Sequence, residues 1–264
     1  MRTLPLVLSL TATAAFAQLG APSSGAGFQP TWSLGLQSYG PTLKGHFRGV
    51  EDGQPIDVDL DSDLGLGKDK TTPGFFVEYQ GPRFAFQISN GSAEYRGDRI
   101  VNRMVTLDGV PYIAGTRVQS HVKLATVDGV WTIKFLRGDD SWLGVDLGVQ
   151  AWTLDLDARS APLLGPSQES STRITAPIPQ IGLSGGARGF NGAVEAKAYV
   201  HYLAYKSAKY NLYGADVRIF PVRWFGLRAF YEAGHFDVPE GSIQDDLEVK
   251  LDRKGVGFGA VLRF

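Results

Sequence analysis

From Trp32 to Phe264 the chain alternates apolar side chains with polar or small ones. The C-terminal stretch is the clearest case. Val256, Phe258, Ala260, Leu262 and Phe264 fall on one face, and Gly257, Gly259, Val261 and Arg263 on the other. Val194, Ala196, Ala198, Val200 and Tyr202 likewise oppose Glu195, Lys197, Tyr199 and His201. Further on, Phe225, Leu227, Ala229, Tyr231 and Ala233 oppose Gly226, Arg228, Phe230 and Glu232. A repeat of two is the period of a β-strand, because successive side chains leave the pleated backbone on opposite faces. The pattern predicts strands over 31–50, 71–81, 83–107, 110–137, 141–157, 173–187, 190–205, 208–220, 223–237 and 247–264.

Alternation of this kind suits either a soluble sandwich, with the apolar face as core, or a closed barrel in a membrane, with the apolar face against lipid. Strand length separates the two. Most of these stretches far exceed the usual soluble strand of about 5–6 residues and match a tilted spanning strand with extensions above the bilayer. The connections agree. Those at 81–82, 137–140, 188–189 and 220–222 are short and share the edge that holds both ends of the strand region, whereas 51–70, 158–172 and 238–246 are long and lie opposite. Tight turns are expected at 108–109 and 206–207. The sequence therefore predicts an all-β, closed, antiparallel, transmembrane up-and-down barrel over 31–264, of about ten strands. Twelve is the alternative, if Pro41 and the hairpin-type pair Asp128-Gly129 each break a strand.

Composition narrows the setting. The 264 residues include no cysteine and carry a formal net charge of -1, which excludes thiolate chemistry and gives no basic excess for nucleic acid. Residues 1–17, MRTLPLVLSLTATAAFA, combine a basic start, a short apolar core and a small-x-small end, so an export signal cut after Ala17 is expected. Residues 18–30 read as a flexible periplasmic lead-in. Aromatic girdles are expected from Trp142, Phe220, Trp224, Phe225 and Phe264 at the inner rim and from Tyr202, Tyr205, Tyr210 and Tyr213 at the outer one.

The export signal, the period-two strands and the last strand GVGFGAVLRF ending in Phe264 together resemble the bacterial outer-membrane β-barrel class. That resemblance implies residence in the outer membrane, with its lipid and lipopolysaccharide as surroundings. It also implies that Phe264 is the signal read by the barrel-assembly machinery. The segment DLDSDLGL, Asp59 to Leu66, is similar to small barrels of no assigned activity.

Chemistry is then sought in the lumen. By polarity and parity the inward candidates are Lys44, His46, Arg48, Glu78, Gln87, Lys134, Asp146, Gln150, Glu195, Lys197, Asp216, Arg218, Arg228, Glu232 and Arg263. Both signs are present, and charges taken out of water need partners, so an ion-pair network filling a narrow lumen is expected. Adjacent strands offer partners, such as Asp216 and Arg218 beside Arg228 and Glu232. His46, His121, His201 and His235 lie on four different strands with no metal-type spacing. Asp57, Asp59, Asp61 and Asp63 resemble a calcium loop only in part: Ser62 stands at the turn glycine and Lys68 at the bidentate glutamate. No motif similar to the omptin proteases or the lipid A deacylases stands out. No catalytic, cofactor or metal residue is therefore assigned. The expected protein is a non-enzymatic envelope barrel serving surface interaction or narrow passage of small solutes. A hydrolase at the outer rim, acting on lipid A, phospholipid or peptide, is the alternative.

Overall fold

Fifteen strands make one antiparallel sheet that closes on itself in a computed structural model describing residues 30–51, 54–107, 109–160, 167–205, 207–240 and 247–264. The expected export signal and almost all of the lead-in lie outside the described residues. The chain runs β1 (Thr31–Tyr39), β2 (Thr42–Glu51), β3 (Gln54–Asp59), β4 (Gly67–Thr72), β5 (Gly74–Gln80) and β6 (Phe84–Ile100). There follow β7 (Val105–Leu107), β8 (Val110–Tyr112), β9 (Arg117–Arg137), β10 (Ser141–Ser160), β11 (Glu169–Gly189), β12 (Val194–Tyr205), β13 (Ala208–Val222), β14 (Phe225–Val238) and β15 (Leu247–Arg263). The first and last strands pair, Ser33 with Arg263 through Tyr39 with Gly257, which closes the ring.

The ring has ten positions. Pro41 does not turn the chain: Tyr39 pairs with Gly257 and Thr42 with Lys254, so β1 and β2 continue one register along β15. Likewise β4 and β5 both run along β6. Asp128-Gly129 lies mid-strand, Asp128 facing Ser89 on one side and Gln150 on the other, so the twelve-strand alternative fails. Two predicted strands are shorter than expected, since 101–116 leaves the ring to form the small β7–β8 hairpin. The predicted long connection at 51–70 holds β3 and part of β4, β3 pairing with β2 and β7.

Two halves differ in what faces where. In the half nearer the short turns, large apolar side chains point outward, among them Leu36, Phe86, Ile133, Leu147, Leu183, Ile219 and Phe258, all exposed. Beyond that belt the polarity inverts. Leu43, Phe47, Val58, Leu60, Leu64, Tyr95, Val122, Leu154, Tyr112 and Tyr210 point inward and form one buried cluster, contributed by both walls and by the β3–β7–β8 flap. Filling this end stabilises it by roughly 1.5–3 kcal/mol per large side chain buried.

This inversion corrects three lumen assignments. Lys44, His46 and Arg48 stand on β2 above the belt and face outward, with Lys44 bound to Asp61 at 2.7 Å. Among the girdle residues, Trp142, Phe220 and Tyr210 point inward and are buried, whereas Trp224, Phe264, Tyr202 and Tyr213 are exposed. Two inward glycines allow close approach. A Cβ on Gly186 would lie 2.7 Å from the Trp142 indole nitrogen, and one on Gly182 only 2.6 Å from the His201 ring.

Candidate functional site: the lumen and its seals

The belt half of the lumen is filled by side chains from the inward parity of all ten ring positions, and charge pairing organises them in tiers. At the inner mouth Arg263 lies over the Phe220 ring and donates to Glu195 at 2.9 Å, and Arg188 donates to the same carboxylate at 2.8 Å. Lys134 donates to Gln80 and to the Gly81 carbonyl, at 2.9 and 2.8 Å, beneath Trp142.

The next tier is a bar across the barrel. Arg218 on β13 clasps Glu78 on β5 with two hydrogen bonds, 2.7 and 2.9 Å, and donates through Nε to Asp216 at 3.0 Å. Arg228 on β14 donates to the other Asp216 oxygen and to Gln37 on β1, its guanidinium 4.5 Å from both the Phe76 and Phe230 rings. Glu78, Asp216, Arg218 and Arg228 are all buried. Bidentate geometry and saturation of the carboxylates are what offset the loss of hydration for such groups.

Above the bar is a polar chamber of about 70 Å³, lined in part by Lys197, Asp128, Asp146, His201, Tyr199 and Glu232. Asp146 accepts from Thr132 and Ser184, at 2.6 and 2.7 Å, and faces His201 Nε2 at 2.9 Å. Glu232 accepts from Tyr199 at 2.7 Å and from Arg253 at 2.6 Å. Arg253 also reaches Gln150, which accepts from Trp152 and Tyr210, both at 2.6 Å. Trp152 and Tyr210 belong to the apolar cluster, so this tier joins the polar lumen to the outer cap.

Of the charged inward candidates, Glu78, Lys134, Asp146, Glu195, Lys197, Asp216, Arg218, Arg228, Glu232 and Arg263 point into the lumen, whereas Lys44 and Arg48 do not. Of the partners offered by these adjacent strands, Asp216 pairs with Arg228, whereas Glu232 pairs with Arg253. Arg253, Arg188, Asp128 and His201 are lumen residues the sequence reading missed or placed at the rim. Parity alone could have found Arg253, which shares the inward face of β15 with Gly257 and Val261.

Outside the belt the charges are ordinary surface pairs. The hydrogen bond from Arg117 holds the Asp98 carboxyl below its usual range, and that from Arg173 does the same for Asp155. His121 stands between Glu94 and Asp157, at 3.6 and 3.7 Å, and His235 faces Asp252 at 2.6 Å. The acidic run serves local structure. Asp59 accepts from the backbone of Asp61 and Ser62, and Arg103 joins Asp57 to Asp63.

A closed ten-position ring with an outward apolar belt and a polar, paired interior is the architecture of the bacterial outer-membrane β-barrel class, and this chain has that fold. Among solved structures it is similar to the outer membrane protease OmpT of Escherichia coli, with 9% identity, 91% of this chain and 99% of that one covered, and a TM-score of 0.61. Looser likenesses include the translocator domain of the autotransporter NalP from Neisseria meningitidis (10% identity, 98% and 96% covered, TM-score 0.43). Ail, the attachment invasion locus protein of Yersinia pestis, is another (16% identity, 90% and 100% covered, TM-score 0.31). No protein-family model matches the chain, and no curated protein matches it in sequence. At these identities the likeness is one of fold.

Proposed function

We propose that this chain is a sealed, non-conducting barrel of the bacterial outer membrane, whose work is done at its outer surface and not through its lumen. The observation that carries this reading is the double closure. The Glu78–Arg218–Asp216–Arg228–Gln37 bar ties β5, β13, β14 and β1 together across the lumen. A separate apolar core then fills the outer half. A solute would have to break buried ion pairs and afterwards cross close-packed side chains, so surface interaction is favoured over narrow passage. The rim-hydrolase alternative is kept as the second reading, because His235 faces Asp252 at 2.6 Å and His121 stands beside Glu94 and Asp157, carboxylate-oriented imidazoles of the kind a general base uses.

The export signal at 1–17, the lipid and lipopolysaccharide surroundings and recognition of Phe264 during assembly belong to the same reading. The position of Phe264 supports the last of these: its backbone exchanges two hydrogen bonds with Trp32, at 2.8 and 3.0 Å, where the ring closes. Planar-bilayer recording tests the seal. Protein whose insertion is verified beforehand by protease protection should give no discrete conductance steps, and reproducible openings of the unmodified chain would refute the reading.

A further inference from the structure

The ladder between β11 and β12 stops short. It runs from Gly189 with Val194 up to Ile181 with Tyr202, while β11 continues outward to Glu169 alongside β10 alone. Parity fixes which backbone groups this leaves over. At each end of β11 an even-numbered residue bonds toward the β10 side: Ser160 N–H donates to the Gln168 carbonyl and Arg188 N–H to the Asp140 carbonyl. Groups of successive residues leave a strand on opposite sides. The odd residues Ser171, Arg173 and Thr175 therefore direct N–H and C=O toward the open side, where no described residue pairs with them. Pro177 and Pro179 are also odd, so their missing donors fall on that same side, where the ladder ends.

We infer that the outer edge of β11, residues 169–176, is a docking site for an extended peptide segment of another protein, which adds as a further strand. This rests on, and makes specific, the proposal that the barrel acts at its surface. Backbone groups in such a row are strong donors and acceptors that a strand satisfies. The side chains say which strand. Inward of the edge lie Ile174, Ala176, Leu203 and Phe236, partly buried against the apolar cluster, so alternate partner residues should be aliphatic. Outward, the charges of β11 are already neutralised by β10: Glu169 by Arg159 at 3.1 Å, Arg173 by Asp155, and Ser171 donates to Asp157 at 2.7 Å. The intervening partner residues should therefore be uncharged and polar.

Other occupants fit less well. The chain's own N-terminal segment leaves the ring beside Phe264, at the opposite end of the barrel. A second copy in the same membrane would be related by an axis along the membrane normal. Its β11 would cross this one at about twice the usual strand tilt of roughly 35–45° instead of lying alongside.

Amide exchange of the full chain in lipid nanodiscs tests the inference, with the end-capped peptide SVNITVQT as probe. Without peptide, the Ser171, Arg173 and Thr175 amides should exchange quickly and those of Thr172 and Ile174 slowly. Peptide should slow the three odd amides at least tenfold, and the same peptide N-methylated at alternate residues should not. Thr175→Pro removes one open-side donor while sparing the β10 ladder, and should weaken peptide binding about tenfold; Thr175→Val should retain it. Odd amides already slow without peptide would mean that the chain covers its own edge, and the inference fails. It fails equally if millimolar peptide changes nothing, or if protection is spread evenly over the outer surface. Either failure leaves the sealed lumen standing, because that is read from conductance.

Discussion

Strand β9 passes through two environments without breaking parity. In the belt half its outward residues are Val127, Trp131, Ile133 and Phe135, and its inward ones include the buried Thr132 and Lys134. In the outer half the outward residues are Arg117, Gln119, His121 and Lys123, and the inward ones Val118, Val122 and Leu124. The same switch occurs on β15, where Val256 and Phe258 face out below and Asp252 and Lys254 above, while Leu251 is buried. Nothing in the backbone changes at the crossing. On the proposed reading, what changes is the medium on the outer side: hydrocarbon against the belt, water against the extension. The inner side answers in kind, with charge pairs where the outside is oily and a dry core where the outside is wet. One sheet is therefore a membrane barrel at one end and close to a soluble two-walled sandwich at the other.

If the halves differ in this way, the largest penalty should come from breaking the bar in the belt half. Arg218→Ala would leave Glu78 and Asp216 buried with reduced compensation, a loss of roughly 3–5 kcal/mol by analogy with other broken buried pairs. Urea unfolding in micelles reads it. The pair Arg218→Met with Glu78→Gln should recover much of the loss, and an unrecovered double variant would show that shape, not charge, dominates there. Leu64→Ala in the outer core should cost about 2–5 kcal/mol as a cavity. Its effect should be confined to exchange and proteolysis of the outer half, while the heat-modified gel shift of the barrel persists.

A sharper contrast uses one substitution at two heights. Val149→Arg puts a charge on the belt surface and should destabilise by about 2–4 kcal/mol, as for charged side chains near a bilayer midplane. Gln119→Arg sits on the outward face of the extension and should stay within about 0.5 kcal/mol of the parent. Equal costs would mean that no hydrocarbon contacts the belt.

These heights also explain what the sequence could and could not convey. Strand type, ring size and the edge with short turns were legible, because they depend on a period and on turn residues. The placement of Lys44, His46 and Arg48 was not, because a polar face marks the lumen only below the crossing, and parity alone does not say where the crossing lies. The pairing of His201 with Asp146 was hidden for another reason: it depends on two register choices, β10 with β11 and β11 with β12, that no local pattern sets. Pro177 and Pro179, by contrast, stood in plain view as a mark of an unpaired edge, legible once the strand's neighbours were known.

The smallest expected effect concerns acid. Asp98 and Asp155, both on the outer extension, have carboxyls held below their usual range by hydrogen bonds from Arg117 and Arg173. A depressed native pKa means that the unfolded state binds more protons. The stabilisation is therefore present above the unfolded carboxylate value of about 3.9 and is lost as pH falls below it. Both pairs are exposed, so the contribution is small and screened by salt. Amide exchange around 94–98, 117–123 and 153–159 should quicken modestly below about pH 4, and about 1 M salt at neutral pH should mimic part of that change. The belt half should keep its protection, because its charges meet neither bulk acid nor bulk salt while both seals hold. Acid that loosened both halves together would mean that water already reaches the bar, and the division between a wet-sided and an oil-sided end would have to be given up.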